Sequence, residues 1–199
     1  MDFETIKDSL NKKTVGIAGC GGLGSNVAAS LTRVGIGKLV LADFDNVEPT
    51  NLNRQFYFHN QLGMRKVDAL TINLRAINPH IELITFPGLI SETEVPALFG
   101  KCDCVIEAFD KAEAKVMLVE TMMDKLPHKP LIVGSGMAGI GGFDQIKLFK
   151  WTNNIYVCGD LVSEISKELP PISPKVNIVA NLMADLALQL LLGLDTGLD

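Results

Sequence analysis

Along most of this chain, short uninterrupted apolar runs alternate with segments whose apolar residues recur every third or fourth position. Thr14–Ala18 (TVGIA) is the first run. It enters Gly19-Cys20-Gly21-Gly22-Leu23-Gly24, after which Ser25–Val34 places Val27, Leu31 and Val34 on one helical face. Lys38–Ala42 (KLVLA) has the character of a strand buried on both faces and ends in Asp43. Met64–Ile77 is predicted helical from Val67, Leu70, Leu74 and Ile77, with a stop at Asn78-Pro79. Ile81–Phe86 is a predicted strand, and Ser91–Phe99 a short helix with Ser91 as cap and Glu94 in the capping-box position. Cys104–Ala108 is then a strand, Ala112–Leu126 a helix and Pro130–Val133 a strand. This alternation predicts an α/β fold, a Rossmann-like and mostly parallel sheet with helices on both faces.

After Gly134 the pattern changes. Gly134, Gly136, Gly139, Gly141 and Gly142 crowd together, Gln145–Trp151 is predicted as a strand of a different kind, and Thr152–Ser173 reads as a long loop. Val176–Leu194 is a terminal helix, so the fold acquires a C-terminal strand, loop and helix extension. Within that helix Asn177, Asn181, Asp185 and Gln189 form one polar stripe, which predicts a packed helix and not a membrane span. No repeat or linker divides the chain, and residues 1–199 are expected to form a single domain.

Composition narrows the function classes. With 47% hydrophobic and 21% charged residues the chain is globular. Its 18 basic and 23 acidic residues leave a net charge of −5, which speaks against a general nucleic-acid or anionic-membrane surface. Met1–Leu10 lacks the apolar core of a secretory leader. Cys20, Cys102, Cys104 and Cys158 form no CxxC pair, so neither zinc nor a dithiol motif is expected, and reduced thiols in a cytoplasmic protein are.

The chemistry concentrates at the ends of the predicted strands. Gly19-x-Gly21-x-x-Gly24, with Gly22 between, opens a helix directly after a strand, a context in which glycines admit close backbone approach and the helix N-terminus favours a phosphate. Asp43, at the end of the second strand, suits the two ribose hydroxyls of a nucleotide. The polar stretch from Asp45 to Gln55 is too long for a plain turn and brings Asn51 and Arg54 toward that nucleotide, where a guanidinium can grip phosphate oxygens. Lys66 stands in the first turn of the next helix, where the dipole does not call for a cation, and so is expected to serve an anion. Asp110 follows the fourth strand; beside cations and polyphosphate it is a natural Mg²⁺ ligand. A nicotinamide oxidoreductase shares the glycine loop and Asp43 but leaves Asn51, Arg54, Lys66 and Asp110 without a joint purpose.

In this order and spacing, GCGGLGSN, LADFDNVEPTNLNRQ, GMRKV and VIEAFD resemble the ubiquitin-activating superfamily, and within it the bacterial ThiF/MoeB-type adenylyltransferases. SPKVNIVANLMADLALQLLLG resembles that family's final helix. The resemblance implies that Gly19, Gly21, Gly22 and Gly24 form the nucleotide loop, with Asp43 and Asp45 beside it. It implies further that Asn51, Arg54 and Lys66 contact the phosphates of ATP, and that Asp110 binds Mg²⁺. Arg54, Lys66 and Asp110 are then the catalytic set. The implied reaction activates the C-terminal glycine carboxylate of a ubiquitin-like sulfur carrier ending in Gly-Gly as an acyl-adenylate, releasing pyrophosphate. The short length is similar to a compact ThiF-like form of thiamine biosynthesis, and a homodimer is implied. Relatives that activate a carboxylate on modified tRNA, as threonylcarbamoyladenosine dehydratase does, offer another acceptor, and a non-catalytic scaffold binding nucleotide and carrier is a further reading. Three features depart from or bear on the pattern. The zinc site of two CxxC pairs found in many relatives is absent, Met1–Lys13 has lysines where relatives have an arginine, and Cys158 falls in the predicted loop where some relatives use a catalytic thiol.

Overall fold

The computed structural model describes residues 1–198; Asp199, the last residue of the expected 1–199 domain, lies outside the described residues. In chain order the elements are α1 (Phe3–Leu10), β1 (Thr14–Ala18), α2 (Gly22–Arg33), β2 (Lys38–Ala42), α3 (Lys66–Ile77), β3 (Glu82–Phe86), α4 (Glu94–Phe99), β4 (Cys104–Glu107), α5 (Ala112–Lys125), β5 (Leu131–Gly134), β6 (Lys147–Thr152), β7 (Ile155–Gly159) and α6 (Ser173–Leu192). The strands form one sheet in the order β3-β2-β1-β4-β5-β7-β6. All neighbours run parallel except β6 and β7, so the expected mostly parallel, Rossmann-like sheet is what the chain forms.

Both faces are covered, which is why the central strands read as unbroken apolar runs. On one face Val15, Ile17, Leu39, Leu41, Ile106 and Ile132 pack under residues of α2, α3 and α6, with Leu10 of α1 joining them. On the other, Val40, Val105, Leu131 and Val133 meet Val95 and Phe99 of α4 and Leu118 and Met122 of α5. In α6, Val176, Val179, Ala180, Met183, Leu186 and Ala187 are buried, while Asn181 and Asp185 of the polar stripe are exposed.

The expected helix Ser91–Phe99 begins only at Glu94, with the Ser91 amide donating to the Glu94 carboxylate at 2.8 Å in the turn before it, and two further elements are not anticipated by the sequence pattern. The expected loop Thr152–Ser173 contains β7, which pairs parallel with β5 and antiparallel with β6 through a Thr152–Ile155 pair. Asn153-Asn154 is therefore a two-residue hairpin turn and not the onset of a loop. A run of five residues, Ile155–Gly159, is too short for periodicity to reveal a strand. The other addition is α1, capped by the Asp2 side chain, which accepts from the Thr5 amide at 2.9 Å.

Candidate functional site

The parallel strands deliver their C-terminal ends to one edge of the sheet, where ligands bind in open α/β folds. A cleft opens there, walled by the glycine turn, by Ala42–Asp45, Gly88–Ile90 and Ala108–Lys111, and by Arg54, Gln55 and Lys66 from the loop after β2 and the start of α3. Its remaining side is closed by Met137, Ile165, Pro171 and Val176.

The glycines divide into two roles. Gly19 has φ +93°, and a Cβ there would lie 2.7 Å from the Ala108 carbonyl oxygen. A Cβ on Gly24 would strike the Gly19 carbonyl, so Gly24 lets α2 close onto the end of β1 while Gly19 lets the turn pass the chain leaving β4. Gly21 is different. A Cβ on it would meet only Gln55 Nε2, at 3.8 Å, so its bare backbone faces open cleft. No side chain caps the first turn of α2, which leaves its amides and positive end available to an anion.

Asp43 stands at the end of β2, buried, with one carboxylate oxygen accepting from the Cys20 amide at 2.6 Å and the other from the Asp45 amide at 2.8 Å. It thus ties the glycine turn to β2 as well as lining the cleft. Burial pushes its carboxyl up from the ordinary value, against the opposing charge of Lys66 and the two amides. Lys66 reaches the cleft wall but is almost fully enclosed, its Nζ 2.7 Å from Asp45 Oδ2.

Arg54 is placed by a stitched loop. Asn26 Nδ2 of α2 donates to the Arg54 carbonyl at 2.8 Å, Ser25 Oγ accepts from the Phe56 amide at 2.9 Å, and Tyr57 Oη donates to the Cys20 carbonyl at 2.7 Å. The Arg54 stem consequently lies against Gly22, with Cγ 3.6 Å from where a Cβ would stand. Its Nη1 donates to the Thr50 carbonyl at 2.9 Å and to Asn53 Oδ1 at 2.8 Å. Burial lowers the guanidinium's affinity for its proton, and the charge of Asp110 opposes that. Asp110 itself is exposed on the cleft wall.

Asn51 does not line the cleft. It is buried, and its Oδ1 accepts from the Glu48 amide at 2.9 Å, closing the short turn Pro49–Asn51. The spacing of the polar loop placed Asn51 near the nucleotide but could not show that its side chain turns inward. Gln55 does the reverse. It is buried in the cleft wall, and its Oε1 has no hydrogen-bond partner. Sequence reasoning passed over it, although it follows Arg54 directly. Also missed were Phe44, Leu89, Ile90 and Phe109, which give the cleft an apolar end suited to a flat base.

Cys158 lies in β7, fully buried beneath α6, with Sγ 3.8 Å from the Val179 carbonyl, and burial pushes its thiol up to about 12. That environment disfavours a thiolate and argues against the catalytic role considered for it. Cys20, Cys102 and Cys104 are likewise buried. The N-terminal lysines do not reach their own cleft. The carbonyls of Leu10 and Lys13 accept from Gly37 and Lys38 at the entry end of β2, so this segment occupies the opposite edge of the sheet.

The residues present fit a nucleoside triphosphate: an open glycine at a helix N-terminus and two cations for its phosphates, an unpartnered buried amide oxygen for a donor on its base or ribose, and an apolar end. They also fit Mg²⁺ in a limited sense. Among the described residues no group of three or more His, Cys, Asp or Glu could hold a metal, so Asp110 would bind it together with phosphate oxygens and water.

Residues 3–198 match the model described as the ThiF family. Ubiquitin-like modifier-activating enzyme 5 of Caenorhabditis briggsae is 41% identical over 128 residues, covering 58% of this chain and 28% of that protein. The Bombyx mori enzyme of the same name is 34% identical over 149 residues, covering 69% of this chain and 38% of its own length. The chain thus spans well under half the length of these relatives. Escherichia coli tRNA N6-threonylcarbamoyladenosine dehydratase TcdA, solved with ATP, superposes with TM-score 0.85 at 20% identity, covering 96% of this chain and 90% of its own. Escherichia coli MccB, solved with ATP, gives TM-score 0.72 at 23% identity over 94% of this chain and 57% of that one. These structural likenesses establish the fold.

Proposed function

The chain belongs to the ThiF family, and from that premise we propose that it is an ATP-dependent adenylyltransferase activating the C-terminal glycine carboxylate of a ubiquitin-like, ThiS-like sulfur carrier in thiamine biosynthesis. The observation that carries the reading is Arg54, laid against the glycine turn in the same cleft that Lys66 and Asp110 line. In the reaction an oxygen of the carrier's carboxylate bonds to the α-phosphorus of ATP. The bond from that phosphorus to the bridging oxygen breaks, and pyrophosphate leaves with the electron pair. The nucleophile is the substrate's own carboxylate, so positioning and charge compensation are what the protein must supply.

The open backbone at Gly21 and the amides of α2 receive phosphate oxygens, Asp43 orients the ribose, and Arg54 and Lys66 offset the charge that builds on the transferring and leaving phosphates. Asp110 would hold Mg²⁺, which when bound shields the same charge. No thiol among the described residues lines the cleft, so the product formed in the cleft is the mixed anhydride itself, handed to a nucleophile from outside it. A homodimer belongs to the same reading. Isotope exchange between pyrophosphate and ATP that requires a carrier ending in Gly-Gly tests it. Exchange that ignores the carrier but requires tRNA would transfer the ATP chemistry to a tRNA-borne carboxylate, and no exchange at all would leave a scaffold.

A further inference from the structure

The peptide joining Cys20 to Gly21 lies inside the glycine turn, and one side chain decides which way it faces. The Cys20 carbonyl accepts from Tyr57 Oη at 2.7 Å. Tyr57 is buried in the core and is not among the residues that wall the cleft. The peptide is trans, so its N–H points opposite to its C=O. With the carbonyl drawn toward Tyr57, the Gly21 amide is directed away from the core. Gly21 walls the cleft, and among the described residues its amide has no hydrogen-bond partner. Its carbonyl, by contrast, accepts from the Ser25 amide at 3.1 Å and the Ser25 hydroxyl at 2.6 Å. The unused polar group at Gly21 is thus the donor that a phosphate oxygen requires.

The backbone alone does not secure that orientation. Gly21 has φ −79° and ψ −144°. Turning the Cys20–Gly21 peptide over carries φ by about 180° to a positive value, which glycine accepts at little cost. The missing Cβ that opens the turn to a ligand therefore also frees the peptide to flip. The Tyr57 hydroxyl opposes the flip, because a reversed peptide leaves the Cys20 carbonyl without this donor and the buried hydroxyl without this acceptor. The donor is itself held in place. Asn73 Nδ2 of α3 donates to the Phe56 carbonyl at 2.8 Å, and Gln61 Oε1 accepts from the Phe58 amide at 3.0 Å. Asn73 and Gln61 are buried and joined by two hydrogen bonds of 2.7 and 3.1 Å, so both peptides flanking Tyr57 are tied to α3. Burial, aided by the charges of Asp43 and Asp45, pushes the Tyr57 hydroxyl well above its ordinary value, which keeps it a donor.

We propose that Tyr57 is a positioning residue, whose hydroxyl holds the Cys20–Gly21 peptide in the orientation that offers the Gly21 amide to a phosphate of the nucleotide. This rests on the ATP-binding half of the adenylation reading and extends it to a side chain that touches no ligand. Tyr57→Phe keeps the ring and its packing and removes the donor alone. Calorimetric titration with MgATP provides the test, alongside amide NMR spectra of glycine-labelled protein in which Gly21 is assigned by its loss in Gly21→Ala. In the unaltered protein the Gly21 amide resonance is expected to move downfield as MgATP binds. In Tyr57→Phe the dissociation constant for MgATP should rise about fivefold, the scale of one net hydrogen bond, and the Gly21 response should shrink. A merely structural role would lower the melting temperature and leave both readouts unmoved. A dissociation constant within twofold of the unaltered protein's, or an undiminished Gly21 response, would therefore overturn the proposal. Neither readout needs a carrier. Both effects together with no carrier-dependent exchange would support the role of Tyr57 and remove the adenylation reading, whereas an unaltered protein that does not bind MgATP would overturn both.

Discussion

Lys66 and Asp45 are joined twice: the ammonium sits 2.7 Å from the carboxylate, and the Lys66 amide donates to the Asp45 carbonyl at 2.9 Å. The side chains differ sharply in exposure, 7% for Lys66 and 44% for Asp45, so the lysine depends on this carboxylate far more than the reverse. Removing one partner leaves an uncompensated, enclosed charge, at a cost reduced here by the exposure of the acid. Asp45→Asn is therefore expected to destabilise the protein by about 2 kcal/mol. A bound triphosphate supplies the missing anion, so MgATP should protect Asp45→Asn more than it protects the unaltered protein. Equal protection in thermal unfolding would show that phosphate does not reach Lys66.

Arg54 spans the glycine turn with only Nη1 engaged by protein carbonyl and amide oxygens. Its remaining donors are free to meet phosphate in the bidentate manner a lysine cannot reproduce. Arg54→Ala and Asp110→Ala are each expected to slow carrier-dependent pyrophosphate exchange by on the order of 10²-fold or more, the scale of one oriented stabilising group. Arg54→Lys should recover little. Near-normal exchange in the alanine variants would separate both residues from the chemistry.

These residues also mark where sequence is informative. β1 and β2 have the ends expected for them because a strand buried on both faces has nowhere to place a polar residue. The glycine spacing likewise carries the steric demands at Gly19 and Gly24. Side-chain direction within an irregular loop is not encoded by spacing. Asn51 turns inward to close its own turn, whereas Gln55, four positions later, faces the cleft. The hairpin at Asn153-Asn154 escaped notice for a related reason, since a two-residue turn and the start of a long loop share the same composition.

The orphan oxygen of Gln55 predicts opposite effects on stability and binding. An unpaired buried carbonyl costs about 1–3 kcal/mol, a penalty that an apolar side chain of similar size removes. Gln55→Leu should therefore melt no lower than the unaltered protein without nucleotide, and higher if its neighbours pack well. Protection by MgATP should fall, because the amide's Nε2 beside Gly21 and its waiting acceptor are both gone. Undiminished protection would place Gln55 outside the ligand's reach.

Burial of all four thiols makes a chemical prediction. The folded protein should resist alkylation by iodoacetamide at neutral pH, with Cys102, Cys104 and Cys158 pushed up to about 12, and the denatured chain should react at every cysteine. Cys158→Ala should retain carrier-dependent exchange, with a modest loss of stability from the small cavity it leaves. Mass spectrometry after quenching should detect no covalent carrier adduct on the chain; an adduct that survives denaturation and is cleaved by thiols would contradict this.

Asp43 supplies a pH dependence whose sign follows from its burial. Its carboxyl in the folded chain is raised above 3.8, so folding takes up a proton in the interval between the two values. The stability it contributes relative to asparagine is fully present below the unfolded value and is lost as pH rises through the folded one. Urea midpoints of the unaltered protein and Asp43→Asn, measured from pH 4 to 7, should therefore converge on or cross in favour of the variant toward neutral pH. The carboxylate must nevertheless be ionised to accept from Cys20, Asp45 and a ribose together, so nucleotide protection should strengthen over the interval in which stability declines. A midpoint difference independent of pH would mean that Asp43 titrates as it does in the unfolded chain, and that the glycine turn does not shield it from water.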